Sequence, residues 1–281
     1  MTADEAPPQL PAKLRTRPLG KSGLVVSELG LGTWGLSGEG YGAVSSDDAD
    51  KAIVRARELG ITLIDTADTY GARGGDPHAE RMEKRLGRLL SSDADAIICT
   101  KGGNDLDASP ARKRFDRDFL RLSAQRSADR LRRKPDLYLL HHPSVATLVR
   151  GEATSALEEL QSEGVIRAWG VACGDAAVVR AALERGASVV ELPYNVFDQR
   201  DLHEVTGELH ESKAGVLARS TLAYGLLCGT WPADKAFPEG DHRRDRWTEV
   251  ELRRRQAEVA ALRPLVKGDV HTIRAVALRY V

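Results

Sequence analysis

From Glu28 onward, short apolar runs alternate with longer segments whose apolar residues recur at helical spacing. The runs are ELGLG (Glu28 to Gly32), ITLID (Ile61 to Asp65), AIICT (Ala96 to Thr100), DLYLLH (Asp136 to His141), IRAWGV (Ile166 to Val171), VVEL (Val189 to Leu192) and GVLA (Gly215 to Ala218). Their length and their lack of a polar face predict strands buried on both sides. The intervening segments carry helix signals: SSDDADKAIVRARELG opens on serines and aspartates and stops at Gly60, as N- and C-terminal capping requires. Each repeat is therefore a βα unit, and seven in succession predict a parallel sheet covered by helices.

Two architectures satisfy that order, a doubly wound open sheet and a (β/α)8 TIM barrel. A doubly wound sheet asks for GxGxxG at its first βα turn, and GLGTWG lacks that spacing. Polar or unusual residues instead collect where the runs end: Thr33 and Trp34, Asp65, Lys101, His141, Cys173, Glu191, Arg219 and Ser220. A barrel points every strand end at one mouth, so this distribution predicts the barrel. Ahead of it, RPLGKSGLVV places a KSG turn between two apolar stretches, a hairpin that would close the barrel's bottom, or else a plain N-terminal extension. The expected division is a flexible extension over residues 1–16 and a barrel over 17–281. Segment 1–13 is rich in Pro, Ala and charge and is expected to be loose.

Composition narrows the function. Lys plus Arg and Asp plus Glu both number 41, so no net field draws the chain to nucleic acid or to an anionic membrane. The basic runs RLRRK (Arg130 to Lys134) and ELRRRQ (Glu251 to Gln256) read as solvated helix faces. Cys99, Cys173 and Cys228 are odd in number and widely separated, which indicates neither a disulfide framework nor a metal site. With no apolar leader and no long uncharged span, a soluble cytoplasmic protein is expected.

Asp65, Lys101 and His141 end three successive strands, and Tyr70 lies in the loop after Asp65. The fold can thus unite them. A phenol is a poor acid at neutral pH, but a nearby ammonium favours the phenolate. Lys101 would supply that charge, Asp65 would hold Lys101 by an ion pair, and His141 would orient a substrate oxygen beside Tyr70. Taken singly, each has an ordinary explanation: a helix cap, a loop aromatic, a surface lysine, a core histidine. Their coincidence at successive strand ends favours chemistry.

The text RPLGKSGLVVSELGLGTWGLSG, LIDTADTYG, ICTKGG, DLYLLHHP, VIRAWGVA and GVLARSTLAYGLL followed by FPEGDHR resembles the aldo-keto reductase family in motif order from about residue 17 onward. The resemblance implies a tetrad of Asp65, Tyr70, Lys101 and His141 with Tyr70 as proton donor, and NADPH (NADP+) across the barrel mouth. It implies reduction of a small-molecule aldehyde or ketone without a metal. Thr33 and Trp34 would flank the nicotinamide and substrate pocket. Ser220, Leu222 and Gly225 would line the pyrophosphate path with backbone N–H groups, and Arg219 would stack where many relatives place an aromatic. His142 reads as pocket wall or packing.

Two departures stand out. Ala172 and Cys173 replace the usual Ser-Asn that holds the carboxamide, and Glu191 replaces a glutamine; a carboxylate accepts hydrogen bonds but cannot donate them. The sequence given also stops at Val281, before the family's last strand and phosphate-binding segment, so an open sheet edge is expected. The arginines of DHRRDR (Asp241 to Arg246) could contact phosphate, but read first as a mobile charged loop. The leading expectation is an NADP-dependent carbonyl reductase. The competing class is a catalytically weak binding or regulatory protein on the same barrel.

Overall fold

The computed structural model describes residues 14–72 and 81–281; the expected loose segment 1–13 lies outside the described residues. An antiparallel hairpin comes first, β1 (Thr16–Pro18) and β2 (Val25–Ser27). There follow β3 (Gly30–Gly32), α1 (Ser46–Glu58), β4 (Leu63–Asp65), α2 (Met82–Leu90) and β5 (Ile97–Gly102). A small hairpin, β6 (Asn104–Asp105) and β7 (Arg112–Lys113), precedes α3 (Arg117–Leu131) and β8 (Leu137–His141). Helices α4 (Val145–Arg150) and α5 (Glu152–Ser162) lead to β9 (Ala168–Ala172), and α6 (Ala176–Glu184) leads to β10 (Val189–Pro193). Last come α7 (Arg200–Glu204), α8 (Thr206–Ser212), β11 (Gly215–Arg219), α9 (Glu249–Ala260) and α10 (Ile273–Tyr280).

All seven strands expected from the apolar runs are present, and they pair in parallel in the order β3-β4-β5-β8-β9-β10-β11. The sheet curls into a nearly closed barrel of the (β/α)8 TIM type. Sequence capping is realised: the Ser45 hydroxyl accepts from Asp48 N at the start of α1. Among the described residues no helix is long and apolar enough to cross a membrane.

The N-terminal hairpin plugs the bottom. Leu19, Leu24 and Val26 pack on Leu63, Ile97, Leu137, Leu139, Ala168 and Val189, the inward side chains of the strands. Pairing starts at Thr16 with Ser27, one residue ahead of the expected boundary. Gly20 in the turn bridges to Ala214, and Lys21 N donates to Lys213 O at 2.8 Å. Its φ of +53° and a backbone only 2.1 Å from where a Cβ would lie both require glycine. At the other end Tyr41 bridges to Asp241, and His242 N donates to Gly40 O at 3.2 Å. The edge strands β3 and β11 are thus spanned at bottom and top by the segments beside them.

Several arginines expected on solvated surfaces are instead counter-ions. Arg130 pairs with the buried Glu83 at 2.6 Å, and Arg133 pairs with the buried Asp136 at 3.1 Å. Arg243 is clamped by Asp241 and lies over Tyr41 and Phe237, while Arg246 lies over Tyr224. A carboxylate buried by another element needs a paired cation, which the basic runs alone did not reveal. The ELRRRQ arginines do pair along their own exposed helix.

If the hairpin is a packed plug, Leu24→Ala, at a residue 2% exposed, costs about 2–5 kcal/mol in urea unfolding. A cost within about 0.5 kcal/mol of zero, as for surface substitutions, contradicts that packing.

Candidate active site

Side chains alternate across a strand, so one inward position fixes the rest. Leu137 and Leu139 line the interior while Tyr138 and Leu140 face helices; His141 is therefore the next inward position of β8. The same parity runs Ile97, Cys99, Lys101 on β5 and Leu63, Asp65 on β4, and it continues as Val189, Glu191 on β10 and Leu217, Arg219 on β11. Ladder register pairs Asp65 with Cys99, Lys101 with Leu139 and both His141 and Glu191 with Ala172. The polar ends of five strands thereby converge on one mouth.

At its centre is Lys101, 1% exposed. Its Nζ lies 2.5 Å from Asp65 Oδ1 and donates to Thr66 O at 3.0 Å. Glu191 Oε2 is 3.3 Å away on the third side. Burial pulls the lysine pKa down, but Asp65 and then Glu191 outweigh it and hold the group well above the ordinary lysine range. Asp65 itself is steadied by Thr33, whose N–H and hydroxyl both donate to its carbonyl oxygen at 2.9 Å.

Tyr70 sits beside Lys101, with Nζ 5.5 Å from the ring centroid, and meets the edge of His141 at 6.3 Å between centroids. The ammonium draws its pKa down, as expected, but burial is the larger effect and Asp65 and Glu191 oppose the lysine. The net direction is upward, opposite to the sequence-based expectation. Burial also pushes His141 well below its usual range, helped by Lys101 and Lys113, so the imidazole is neutral.

The expected cofactor residues divide. Trp34 packs on His242 at 4.7 Å and on Tyr41 at 5.5 Å. Cys173 is buried, with its N–H donating to Glu191 O at 2.8 Å. Glu191, 4% exposed, directs its carboxylate to Lys101. Arg219 Nη2 donates to Cys173 O at 3.1 Å and its Nε lies 3.9 Å from Glu191 Oε1. That Nε is buried without a hydrogen-bond partner among the described residues. Ser220 adopts φ +56° and accepts from Asn195 Nδ2 at 3.0 Å. The Gly225 N–H donates to Leu222 O at 2.9 Å, closing the turn on itself. Ligand atoms of Asp65, Cys99 and Glu191 lie within 4.8 Å of one another, but the Lys101 ammonium already answers the two carboxylates.

Sequence reasoning missed the partners behind the imidazole. Asn104 Nδ2 lies 3.1 Å from His141 Nδ1 and 3.3 Å from Asp68 Oδ1, and Lys113 Nζ donates to both Asn104 Oδ1 and His141 O. The only signal was a polar residue following two glycines. His142 stacks on His141 at 5.1 Å and lines a cleft of about 370 Å³ with Lys113, Phe115 and Arg150.

Known proteins share this arrangement of elements. The glycerol dehydrogenase AKR11B4 from Gluconobacter oxydans superposes with a TM-score of 0.79 at 26% identity, over 94% of this chain and 82% of that one. In sequence, the chain is 34% identical to the uncharacterized oxidoreductase YqkF of Bacillus subtilis over 79% of its own length and 69% of the relative's. It is 29% identical to the NADH-specific methylglyoxal reductase of Escherichia coli over 77% and 70%. The model of the Aldo/keto reductase family matches residues 28–281, and the chain belongs to that family of oxidoreductases.

Proposed function

We propose that this chain reduces an aldehyde or ketone to the alcohol, with NADPH as hydride source and Tyr70 as proton donor. What carries the proposal is the gathering of Asp65, Tyr70, Lys101 and His141, from three strand ends and one loop, around a single buried ammonium. When bound, NADPH supplies the hydride. The family resemblance supports NADPH, while one relative is named for NADH.

The residues of this chain that would hold the cofactor are Thr33, Trp34, Cys173, Glu191, Arg219, Ser220 and Leu222, with Gly225 lining the path without its N–H, which is given to Leu222 O. The fit rests on Arg219 Nε, a buried donor with no hydrogen bond among the described residues although its charge faces Glu191; such a group is costly unless a ligand acceptor completes it. Glu191 acts on the cofactor side only through Lys101 and Arg219, because its carboxylate is turned to them.

As the carbonyl carbon accepts a hydride, electron density moves to its oxygen. His141 hydrogen-bonds that oxygen, and Tyr70 delivers its proton to it. The tyrosinate left behind is stabilised by Lys101, which Asp65 keeps in place. A phenol whose pKa is raised by burial keeps its proton at neutral pH, which is the state a proton donor needs.

Glu191 works against the last step. Burial and the neighbouring Asp65 raise its pKa, opposed by Lys101 and Arg219, to about 7. Once ionised it shares the Lys101 charge and disfavours the tyrosinate. That observation favours the second possibility, a barrel that binds the cofactor but turns over weakly.

Two measurements follow. In Tyr70→Phe, kcat with a panel of aldehydes and ketones falls roughly 10²–10⁴-fold while NADPH fluorescence titration gives an unchanged Kd. Tight binding by the wild type with no rate above Tyr70→Phe would establish the binding protein instead. For Glu191, a folded pKa above the unfolded value means its contribution to stability is complete below the ordinary glutamate pKa of 4.5 and is lost as pH rises through about 7. Glu191→Gln therefore gains stability relative to wild type between about pH 5 and about pH 8 in urea unfolding. An equal difference at both pH values contradicts the raised pKa.

A further inference from the structure

A neutral imidazole carries one N–H, so its usefulness to a carbonyl depends on which nitrogen holds the proton. A hydrogen on Nε2 leaves Nδ1 as acceptor; the other tautomer reverses the roles. The partner of Nδ1 therefore decides what the opposite side of the ring can offer a substrate.

That partner is Asn104. It opens β6, whose register with β7 sets Asn104 opposite Lys113. The chain turns back to reach this position through Gly102 and Gly103. At Gly102 a Cβ would lie 1.8 Å from the Tyr138 hydroxyl; Gly103 has φ +106° and a Cβ there would lie 2.1 Å from Phe115. Glycine is required at both positions.

The orientation of the Asn104 amide follows from its neighbours. Its Oδ1 lies 2.7 Å from Lys113 Nζ, a group that only donates. Its Nδ2 lies 3.3 Å from Asp68 Oδ1 and 3.1 Å from His141 Nδ1. Rotating the amide by half a turn would set NH2 against the Lys113 ammonium, donor against donor, whatever the charge on Asp68, whose carboxyl burial raises to about 7. In the orientation set by Lys113, one amide hydrogen goes to Asp68 and the other to His141 Nδ1.

We propose that Asn104 is a positioning residue that fixes the His141 proton on Nε2, so that the imidazole donates a hydrogen bond to the substrate oxygen. The donation to substrate rests on the reductase assignment above; the tautomer does not. Lys113 and Asp68 act one step further out, holding the amide that holds the ring. Lys113 also donates to His141 O at 2.6 Å, so the same ammonium anchors backbone and side chain.

The test is 15N NMR of protein labelled at the histidine ring nitrogens, without cofactor or substrate, with the His141 signals assigned through His141→Gln. The wild type should show a protonated Nε2 and an unprotonated Nδ1. Asn104→Asp, nearly isosteric but now an acceptor, should move the proton to Nδ1. Asn104→Leu, which neither donates nor accepts, should give a mixture of tautomers and keeps the test independent of the aspartate's charge. With an active substrate, both variants should lower kcat by less than the roughly 10²–10⁴-fold expected of a proton-transfer group, with the Kd for NADPH unchanged. A wild-type proton on Nδ1, or an Asn104→Asp spectrum with His141 still protonated only on Nε2, overturns the proposal. Because the tautomer is read on the free protein, a correct tautomer without carbonyl reduction would count against the reductase assignment alone.

Discussion

An ammonium group buried inside a barrel must be answered by negative charge, since an unpaired buried ion costs several kcal/mol or more. Lys101 meets this constraint with Asp65 at 2.5 Å, the Thr66 carbonyl at 3.0 Å and Glu191 at 3.3 Å. These contacts come from β4, the loop after it and β10, so the ion ties non-adjacent walls of the barrel together. Thr33 adds β3 through the Asp65 carbonyl, and Arg219 adds β11 through Glu191. Charge therefore alternates across the mouth from Asp65 to Lys101 to Glu191 to Arg219, and the aromatic and imidazole groups beside it inherit its field.

The balance of burial against charge decides what those groups are. Tyr70 has a cation next to it, yet desolvation and two carboxylates leave it a weaker acid than free tyrosine. His141 is neutral because it is buried among cations. Both are therefore uncharged at neutral pH, and under the proposed reduction that form suits a carbonyl oxygen that gains negative charge only as the reaction proceeds.

The fold was legible because strands buried on both faces have a plain signature, and a barrel's common mouth then gathers Asp65, Lys101 and His141, which stand at successive strand ends. Tyr70 was legible by its nearness in sequence to Asp65. The partner of Glu191 was not, because the barrel interior, not the chain, brings β10 within reach of Lys101. Arg130, Arg133 and Arg243 read as surface charge because the carboxylates that hold Arg130 and Arg133, Glu83 and Asp136, are buried by separate elements, and Asp241 by the packing of its own loop. Asn104 escaped notice for a similar reason: its meaning depends on Asp68, Lys113 and His141, which converge only once the two glycines have turned the chain. The sign of the Tyr70 shift depends on desolvation, which no spacing of residues reports.

The most direct test of this electrostatic balance is a pH titration of the Tyr70 ring by 13C NMR, with tyrosine labelled at Cζ and Tyr70→Phe used for assignment. The signal should remain that of a neutral phenol beyond pH of about 10, where an ordinary tyrosine ionises. A Tyr70 phenolate near neutral pH would mean that Lys101 outweighs burial and both carboxylates, contrary to the field described here.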